Sequence, residues 1–384
     1  MKSPNSLLLF LVAFPLCAPA QGVGIGTRID LTQKLQLGSG QFAQLFVPDY
    51  FVTPANGEFT LVFHLHSASW AAEDEVYKSH ANAILFNIHL GSFSSSYQTY
   101  FSNQAYFQDI VDTILSVLRA GSIIPNPAVG SLIVTSFSAG YAGVREIFKT
   151  PTYYSQIDAL TLADGLHCSS DPPTMLVQMK DFVRFAMDAR NGNKVFLLTH
   201  SSITTVGYEN TTQTADYLIS HIGTTRISFS AIDSIGQQFS RADTGFFHLR
   251  GYFGTTAIDH LRHLYNMHVM LRAADSLIRS GTVHVKESQS KPEGFRLFQN
   301  YPNPFNPTTI IPYQLSSSGH VNLELFDVLG RRIRVLVDDV VAQGRHEIDW
   351  NATNELGSPV SAGTYLCRLN VGSSTETRMM TFLK

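Results

Sequence analysis

The stretch LIVTSFSAG, residues 132–140, joins a run of apolar residues to a turn of small residues. A short apolar run bounded by turn residues predicts a buried strand, and the pattern over 139–149 predicts that a helix follows at once. Short apolar runs and amphipathic stretches alternate in the same way from about Ile29 to Ser280. This alternation predicts an α/β domain in which a mostly parallel sheet carries helices on both faces.

The individual elements of this domain follow from the same patterns. Strands are expected at 59–65, 83–88, 131–135, 159–162, 194–199 and 245–249. Helices are expected at 108–119, 139–149, 173–189, 211–222 and 259–280. In the first of these helices Ile110, Ile114 and Val117 recur every three or four positions, so they should share one buried face.

Length and composition limit the class of protein. The chain has 384 residues, a formal net charge of −3, 15% charged residues and 44% hydrophobic residues. Since a domain usually holds about 100–200 residues, two domains are expected. The near-neutral charge argues against a nucleic-acid-binding surface, and the hydrophobic content argues against a disordered chain.

The N-terminus has the pattern of an export signal. Lys2 precedes an apolar run over 7–16, and Ala18 and Ala20 supply the small residues of a cleavage site. We therefore predict a signal peptide over 1–20. The apolar run is well short of the roughly 20 residues that a spanning helix needs, and no later stretch is long and apolar enough, so no membrane span is predicted.

The C-terminal part changes character. Residues 286–294 are polar and aperiodic and contain a proline, as expected of a linker between a domain at 21–285 and one at 295–384. Beyond the linker, short strand patterns alternate with Gly, Pro and Asn turns, which predicts a small immunoglobulin-like β-sandwich. Four motifs stand out in it: NYPNPFNPTT at 300–309, LFDVLG at 325–330, Gly363-Thr364-Tyr365 and the terminal Lys384.

These motifs resemble the C-terminal sorting domain of type IX secretion. The resemblance implies a Gram-negative bacterium of the Bacteroidota or a neighbouring phylum, recognition by the type IX secretion machinery, and passage through the periplasm to the cell surface or the medium. The alternative is an immunoglobulin-like spacer without a sorting role. Under either interpretation this domain is not expected to be catalytic.

The segment Ser136-Phe137-Ser138-Ala139-Gly140 carries the main catalytic signal. It resembles the nucleophile elbow of α/β-hydrolases, Gly-x-Ser-x-Gly, with Ser136 in place of the first glycine. In that family a sharp turn between strand and helix lifts the serine hydroxyl out of the backbone, and small neighbours permit the turn. Ser138 is therefore the candidate nucleophile. The alternative is a Ser/Gly-rich loop that caps a helix.

A serine nucleophile needs a base and an acid, which this family supplies in the order Ser, acid, His. His260 follows the last predicted strand of the domain and is the candidate base, with His263 and His268 close by in sequence. Asp164 follows the strand after the elbow and is the candidate acid. Glu209 is the alternative acid, and an ordinary Asp-Gly turn is the alternative role for Asp164.

The oxyanion of an acyl-transfer reaction needs two preorganised donors. The resemblance implies the backbone N–H of Ala139 and that of Ser67 or Ala68, in the segment HLHSASW at 64–70. Aromatic side chains at Trp70, Tyr97 and Tyr252 are candidates for the pocket wall or for simple packing.

Three functions remain open from the sequence. The first is a secreted serine hydrolase that cleaves a carboxylic ester or related acyl bond of a small molecule or polymer, without a cofactor. The second is a metal-dependent hydrolase, because metal sites take two or three histidines plus a carboxylate; its candidate ligands are His64, His66, His89, Asp164, His167 and His200. The third is a surface protein that keeps the hydrolase scaffold only for binding.

Overall fold

The computed structural model describes residues 24–280, 295–327, 330–372 and 374–383. The predicted signal peptide and the predicted linker lie outside these residues. The chain divides into two compact units. Apart from Ser220–Gly223, the first unit contains the described residues up to 280 and the second contains those from 295 onward.

The first unit combines strands and helices in alternation. Its strands are β1 (Gly26–Asp30), β2 (Phe42–Pro48), β3 (Glu58–Leu65), β4 (Ala83–His89), β5 (Ala128–Phe137), β6 (Ala159–Ala163), β7 (Val195–His200), β8 (Ile227–Ile232), β9 (Gln237–Thr244) and β10 (Phe247–Tyr252). Its helices are α1 (Ser69–Ser79), α2 (Ser94–Phe101), α3 (Tyr106–Ala120), α4 (Tyr141–Phe148), α5 (Pro151–Gln156), α6 (Pro172–Arg190), α7 (Thr211–His221), α8 (Ala257–Leu264) and α9 (Met267–Arg279).

All ten strands form one sheet, in the order β1-β2-β4-β3-β5-β6-β7-β10-β9-β8. The neighbours from β4 to β10 pair in parallel, whereas β1, β2, β8 and β9 pair antiparallel at the two edges. The six predicted strands are the six parallel ones, so the expected mostly parallel sheet with helices is confirmed. Parallel strands are covered on both faces and therefore read as continuous apolar runs.

Two of the unpredicted strands, β8 and β9, have a different burial pattern. In β9 buried residues alternate with half-buried ones, and in β8 most residues are exposed. Edge strands with one solvated face carry polar residues at alternate positions, so they lack a continuous apolar run. This pattern explains why the apolar-run criterion missed β8 and β9; β2 was missed although residues 45–48 are all buried.

The predicted helix over 259–280 is wrong as a single element. It is two helices, α8 and α9, which are separated at Tyr265 and Asn266. The Asn266 backbone leaves the helical region, with φ −128° and ψ 17°, and its side-chain amide donates to the Arg262 carbonyl at 2.8 Å. Asparagine competes in this way with the helical hydrogen bonds, which ends the first helix. The predicted helix over 139–149 likewise begins with a short 3₁₀ turn, Ser138–Gly140, before α4.

One face of the sheet packs on α1 and α9 around a buried apolar cluster that includes Val62, Ile133, Phe137 and Leu271. This packing fixes β3 and β5, the two strands whose carboxyl ends carry the candidate oxyanion loop and the elbow. None of the helices in the described ranges is long and apolar enough to cross a membrane.

The second unit consists of two antiparallel sheets around a separate apolar core. Its strands are β11 (Phe295–Leu297), β12 (Thr309–Leu315), β13 (Gly319–Asp327), β14 (Arg332–Val341), β15 (Gly344–Trp350), β16 (Gly363–Val371) and β17 (Ser374–Phe382). One sheet has the order β11-β12-β15 and the other has the order β14-β13-β16-β17.

The proline-rich motif at 300–309 is attached to the last strand of this unit. The Thr381 backbone N–H donates to Asn303 Oδ1 at 2.8 Å, and the Phe305 N–H donates to the Thr381 carbonyl at 2.9 Å. The side chain of Asn300 is buried and donates to Thr309 Oγ1 at 2.8 Å. The motif therefore has a structural role within the β-unit, because it satisfies polar groups that would otherwise be buried without partners.

Candidate active site

Ser138 follows the last residue of β5 and adopts a left-handed backbone conformation, with φ 47°. A non-glycine residue in this region is uncommon and strained, and such residues concentrate at functional sites. The turn also brings two backbone segments close together: a Cβ added to Gly140 would lie 2.5 Å from the Leu65 carbonyl oxygen. Only glycine permits this approach of the elbow to the end of β3.

A second glycine brings the loop after β6 against the same serine. A Cβ added to Gly165 would lie 2.5 Å from the Ser138 backbone nitrogen and 2.6 Å from its carbonyl oxygen. Gly165 follows Asp164, which is itself left-handed with φ 45°. Gly165 has only a hydrogen atom in place of a side chain, so its backbone lies directly against that of Ser138. Asp164, the residue before Gly165, is therefore held close to the candidate nucleophile.

His260 lies in the first turn of α8. The helix begins with a capping box, in which the Thr256 hydroxyl accepts from the Asp259 N–H and the Asp259 carboxylate accepts from the Thr256 N–H. This arrangement satisfies the free N–H groups of the first turn and fixes the helix start. The His260 ring lies 4.4 Å, centroid to centroid, from Phe137, the residue before Ser138.

Asp164 binds this histidine directly. His260 Nδ1 lies 2.7 Å from Asp164 Oδ2. Since an ionised carboxylate only accepts hydrogen bonds, Nδ1 carries the proton and Nε2 of the neutral ring presents its lone pair. That tautomer is the one a general base requires.

The carboxylate of Asp164 is held from its other oxygen as well. Its side chain is 2% exposed, and Oδ1 accepts from the Ser201 N–H and from the Thr211 hydroxyl, each at 2.8 Å. Burial alone would favour the protonated acid, but the neighbouring His263 and the hydrogen bonds from His260 and Ser201 hold the pKa of Asp164 well below its usual range. The acid therefore stays ionised, and its geometry is fixed.

Among the described hydrogen bonds, none joins Ser138 Oγ to His260. The two residues meet through the Phe137 ring contact and through the Asp164–Gly165 loop. In substrate-free enzymes the bond between nucleophile and base is commonly long and tightens when substrate binds. The arrangement found here is a hydrogen-bonded Asp164–His260 pair beside a strained serine.

The candidate oxyanion loop connects β3 to α1. His66 is left-handed, with φ 77°, and its N–H donates to the Ile88 carbonyl at 3.1 Å. None of the described hydrogen bonds uses the N–H of Ser67 or of Ala68, and Ala68 is the N-cap of α1. Because free N–H groups at a helix start carry a partial positive charge, this loop suits an anionic oxygen. Ala139 lies in the turn that approaches Leu65, and Leu65 is two residues before Ser67 in the chain.

Two of the three aromatic pocket candidates are packed inside the protein. Tyr97 is fully buried; its hydroxyl accepts from the Leu90 N–H and lies 3.0 Å from His66 Nδ1. Tyr252 is 4% exposed and donates to Asp233 Oδ2 at 2.8 Å. Trp70 differs, because it is 40% exposed and stacks on Tyr265 at 5.8 Å.

The remaining candidates for the acid and the base have other contacts. The Glu209 backbone N–H donates to the Cys168 carbonyl at 2.9 Å. His263 Nδ1 bonds Thr199 Oγ1 at 2.9 Å, and His268 Nδ1 bonds Glu75 at 2.7 Å. Of these histidines and acids, His260 and Asp164 are the two that the fold joins by a hydrogen bond.

The histidines that suggested a metal site lie on or after four strands, β3, β4, β6 and β7, and two of them, His66 and His89, stack with their ring centroids 5.4 Å apart. His64 Nδ1 bonds Thr135 Oγ1, and His200 Nε2 accepts from Arg226 Nη1 at 2.8 Å. A guanidinium group bonded to His200 opposes a cation at the same nitrogen. Within the described parts of the chain, no group of three His, Cys, Asp or Glu residues is placed to hold a metal ion.

Some residues of the site were not found from the sequence. Thr211 and Ser201 hold the acid from positions 47 and 37 residues away along the chain, and Phe137 supports the His260 ring. No local pattern marks a threonine as the partner of a distant carboxylate. The glycine after Asp164 was visible, but it reads equally well as an ordinary turn.

Comparison with known proteins adds little to this geometry. No protein-family model matches this chain, and no curated protein matches it. Among solved structures, dimeric latent PorU from Porphyromonas gingivalis matches with 15% sequence identity and a TM-score of 0.22. The match covers 38% of this chain and 12% of that PorU chain, so this chain spans a small part of its length.

Proposed function

We propose that the first unit is an α/β-hydrolase-like serine hydrolase that cleaves a carboxylic ester or a related acyl bond. The observation that carries the proposal is the 2.7 Å contact of His260 Nδ1 with Asp164 Oδ2 beside a strained serine at a strand-to-helix turn. The three residues also follow in the order Ser, acid, His, which is the order of that family. The reaction needs no cofactor.

In this mechanism each proton has a defined path. Ser138 Oγ attacks the carbonyl carbon of the substrate, and its proton passes to His260 Nε2. Asp164 stabilises the imidazolium that forms. The N–H of Ala139 and that of Ser67 or Ala68 receive the oxyanion, after which His260 gives the proton to the departing alcohol. Water then attacks the acyl-enzyme by the same steps, which releases the carboxylic acid product and restores Ser138.

Labelling with a fluorophosphonate serine probe tests the proposal. The native protein should label, Ser138→Ala should not, and EDTA should have no effect. Ser116→Ala is the matched control, since Ser116 is an exposed serine on α3 and should leave labelling unchanged. Labelling that persists in Ser138→Ala, or that EDTA abolishes, would contradict a Ser138 nucleophile. Turnover of small and polymeric esters would then identify the substrate class.

We further propose that the second unit is an immunoglobulin-like sorting domain, and that the chain is exported through the periplasm to the cell surface or medium by type IX secretion. Support comes from the sequence motifs at 300–309, 325–330 and 363–365 and from the signal-like N-terminus. Deleting 295–384 in a type IX secreting host should retain the protein in the periplasm. Export of the shortened chain at the normal level would contradict this role.

A further inference from the structure

A second histidine, His167, follows Asp164 by three residues and is not used by the proposed mechanism. Its ring lies between two tyrosines, 5.5 Å from Tyr141 and 5.3 Å from Tyr208, edge to face in both cases. Tyr141 is the first residue of α4, three positions after Ser138, and Tyr208 is 48% exposed. The three rings therefore stand beside the elbow; Tyr208 is exposed, His167 is half-buried and Tyr141 is buried.

The protonation of His167 is fixed by its partner. His167 Nδ1 lies 3.0 Å from the Glu209 carbonyl oxygen. A carbonyl only accepts, so Nδ1 carries the proton and Nε2 of the neutral ring is an acceptor. Burial lowers the pKa of His167, which favours this neutral form. None of the described hydrogen bonds uses Nε2.

Two loops hold this histidine in place. The loops after β6 and β7 are joined by an antiparallel bridge between Cys168 and Glu209, in which the Glu209 N–H donates to Cys168. The Thr214 hydroxyl binds the Leu166 carbonyl at 2.7 Å, and the Arg145 side chain reaches the His167 carbonyl. A side chain with a fixed tautomer on a braced backbone is suited to recognition, because little entropy is lost when a ligand binds it.

We propose that Tyr141, His167 and Tyr208 form a substrate subsite that selects esters with a hydroxyl-bearing ring. The ring packs against the exposed Tyr208, and the hydroxyl donates to His167 Nε2; Tyr141 is buried under the Arg145 guanidinium and supports the His167 ring from the other side. His167 is a positioning and specificity residue here, since it does not touch the reacting bond. This inference rests on the proposed serine hydrolase and names its substrate class.

Matched ester pairs test the subsite. One pair is cyclohexyl acetate and 4-hydroxycyclohexyl acetate, and the other is methyl cyclohexanecarboxylate and methyl 4-hydroxycyclohexanecarboxylate. Each pair differs by one hydroxyl remote from the ester, so intrinsic reactivity is nearly equal. The wild type should prefer the hydroxylated member of at least one pair by about five- to tenfold in kcat/KM, the usual value of one neutral hydrogen bond.

Three substitutions separate recognition from loop stability. His167→Asn keeps a donor for the Glu209 carbonyl but places no acceptor where Nε2 lies, so the preference should fall to about one. His167→Gln reaches the Nε2 position and should keep part of the preference. The ratio is measured within each variant, so a general loss of activity cancels. His167→Phe, which retains the ring contacts, should behave like the Asn variant.

Three results would overturn the subsite. They are equal kcat/KM values for both members of both pairs in the wild type, a preference that survives in the Asn and Phe variants, and a preference lost equally in all three variants. In each of these cases the wild type still labels with the fluorophosphonate, so the hydrolase proposal stands. Absence of both labelling and turnover in the wild type would overturn the hydrolase proposal and the subsite together.

Discussion

His260 Nδ1 lies 2.7 Å from Asp164 Oδ2, although 96 residues separate the two positions along the chain. The second carboxylate oxygen is held by the Ser201 N–H and the Thr211 hydroxyl. Asp164, the proposed acid, is thus bonded on both oxygens, and His260, the proposed base, keeps Nε2 as an acceptor. Such a pair orients a base before substrate arrives.

Asp164→Asn should lower kcat by about 10³- to 10⁴-fold with a much smaller change in KM, because an amide no longer fixes the His260 tautomer. The corresponding Glu209→Gln substitution should cost far less, since the described contacts of Glu209 come from its backbone. Steady-state kinetics on an ester and the rate of fluorophosphonate labelling measure both variants. Equal losses in the two variants would contradict the assignment of Asp164 as the acid.

Gly165→Ala should lower kcat at least tenfold and destabilise the protein by about 1–3 kcal/mol, because the new Cβ would meet the Ser138 backbone at 2.5 Å. Gly38→Ala is the matched control, since its Cβ would make only an ordinary contact with the Gln41 side chain, at 3.5 Å. Kinetics and urea unfolding report the two effects separately. An active Gly165→Ala enzyme would show that the elbow and the acid loop tolerate separation.

The free energy of unfolding should fall as the pH is lowered from 7 toward 4. Burial lowers the pKa of His64 to about 3, and burial together with Arg226 lowers that of His200 to about 4. Below the unfolded value of about 6.5 the unfolded chain binds protons that the folded chain excludes, so each histidine contributes up to about 1.4 kcal/mol per pH unit.

Urea titrations at pH 7, 6 and 5, followed by helical circular dichroism, measure this slope. Apart from the last two residues of α7, the described helices belong to the first unit, so the signal reports the unit that contains both histidines. His64→Gln should flatten the slope, since one proton-binding difference is removed. A slope that is unchanged in this variant would mean that His64 does not titrate on unfolding.

Two threonines that face each other on neighbouring strands should respond oppositely to valine. Thr135 on β5 pairs in register with Thr161 on β6, and both side chains are fully buried. The Thr135 hydroxyl bonds His64 Nδ1, whereas the Thr161 hydroxyl has no partner among the described residues. Thr135→Val should therefore destabilise by about 1–2 kcal/mol, and Thr161→Val should be neutral or stabilise by about 1 kcal/mol.

Urea unfolding of the two valine variants measures the difference, and each variant is the control for the other. Both replace a threonine by valine at fully buried positions that pair in register in the sheet. Destabilisation of similar size in both would show that Thr161 has a hydrogen-bond partner in the folded protein. Stabilisation by Thr135→Val would contradict the bond to His64.

The central part of the sheet was predictable because its strands are buried on both faces. The six parallel strands read as short apolar runs, and each was placed correctly to within a few residues, as were α3, α4, α6 and α7. The helices α1, α2 and α5 were not predicted. Of the strands that were missed, β1 and β8 lie at the sheet edges and β9 is buried only at alternate positions, which dilutes their apolar pattern. β2 was missed although residues 45–48 are all buried. The break at Asn266 was missed because helix periodicity continues across it.

The local sequence also indicated the elbow, because the whole signal lies within a few consecutive positions: an apolar strand followed by a serine between small residues. The local sequence does not decide between Asp164 and Glu209 as the acid. It does not decide among His260, His263 and His268 as the base either. Those residues are remote from one another along the chain, and hydrogen bonds act over about 3 Å. Only the folded chain brings Asp164 to His260, turns the Glu209 backbone toward Cys168, and leaves His263 and His268 bound to other partners.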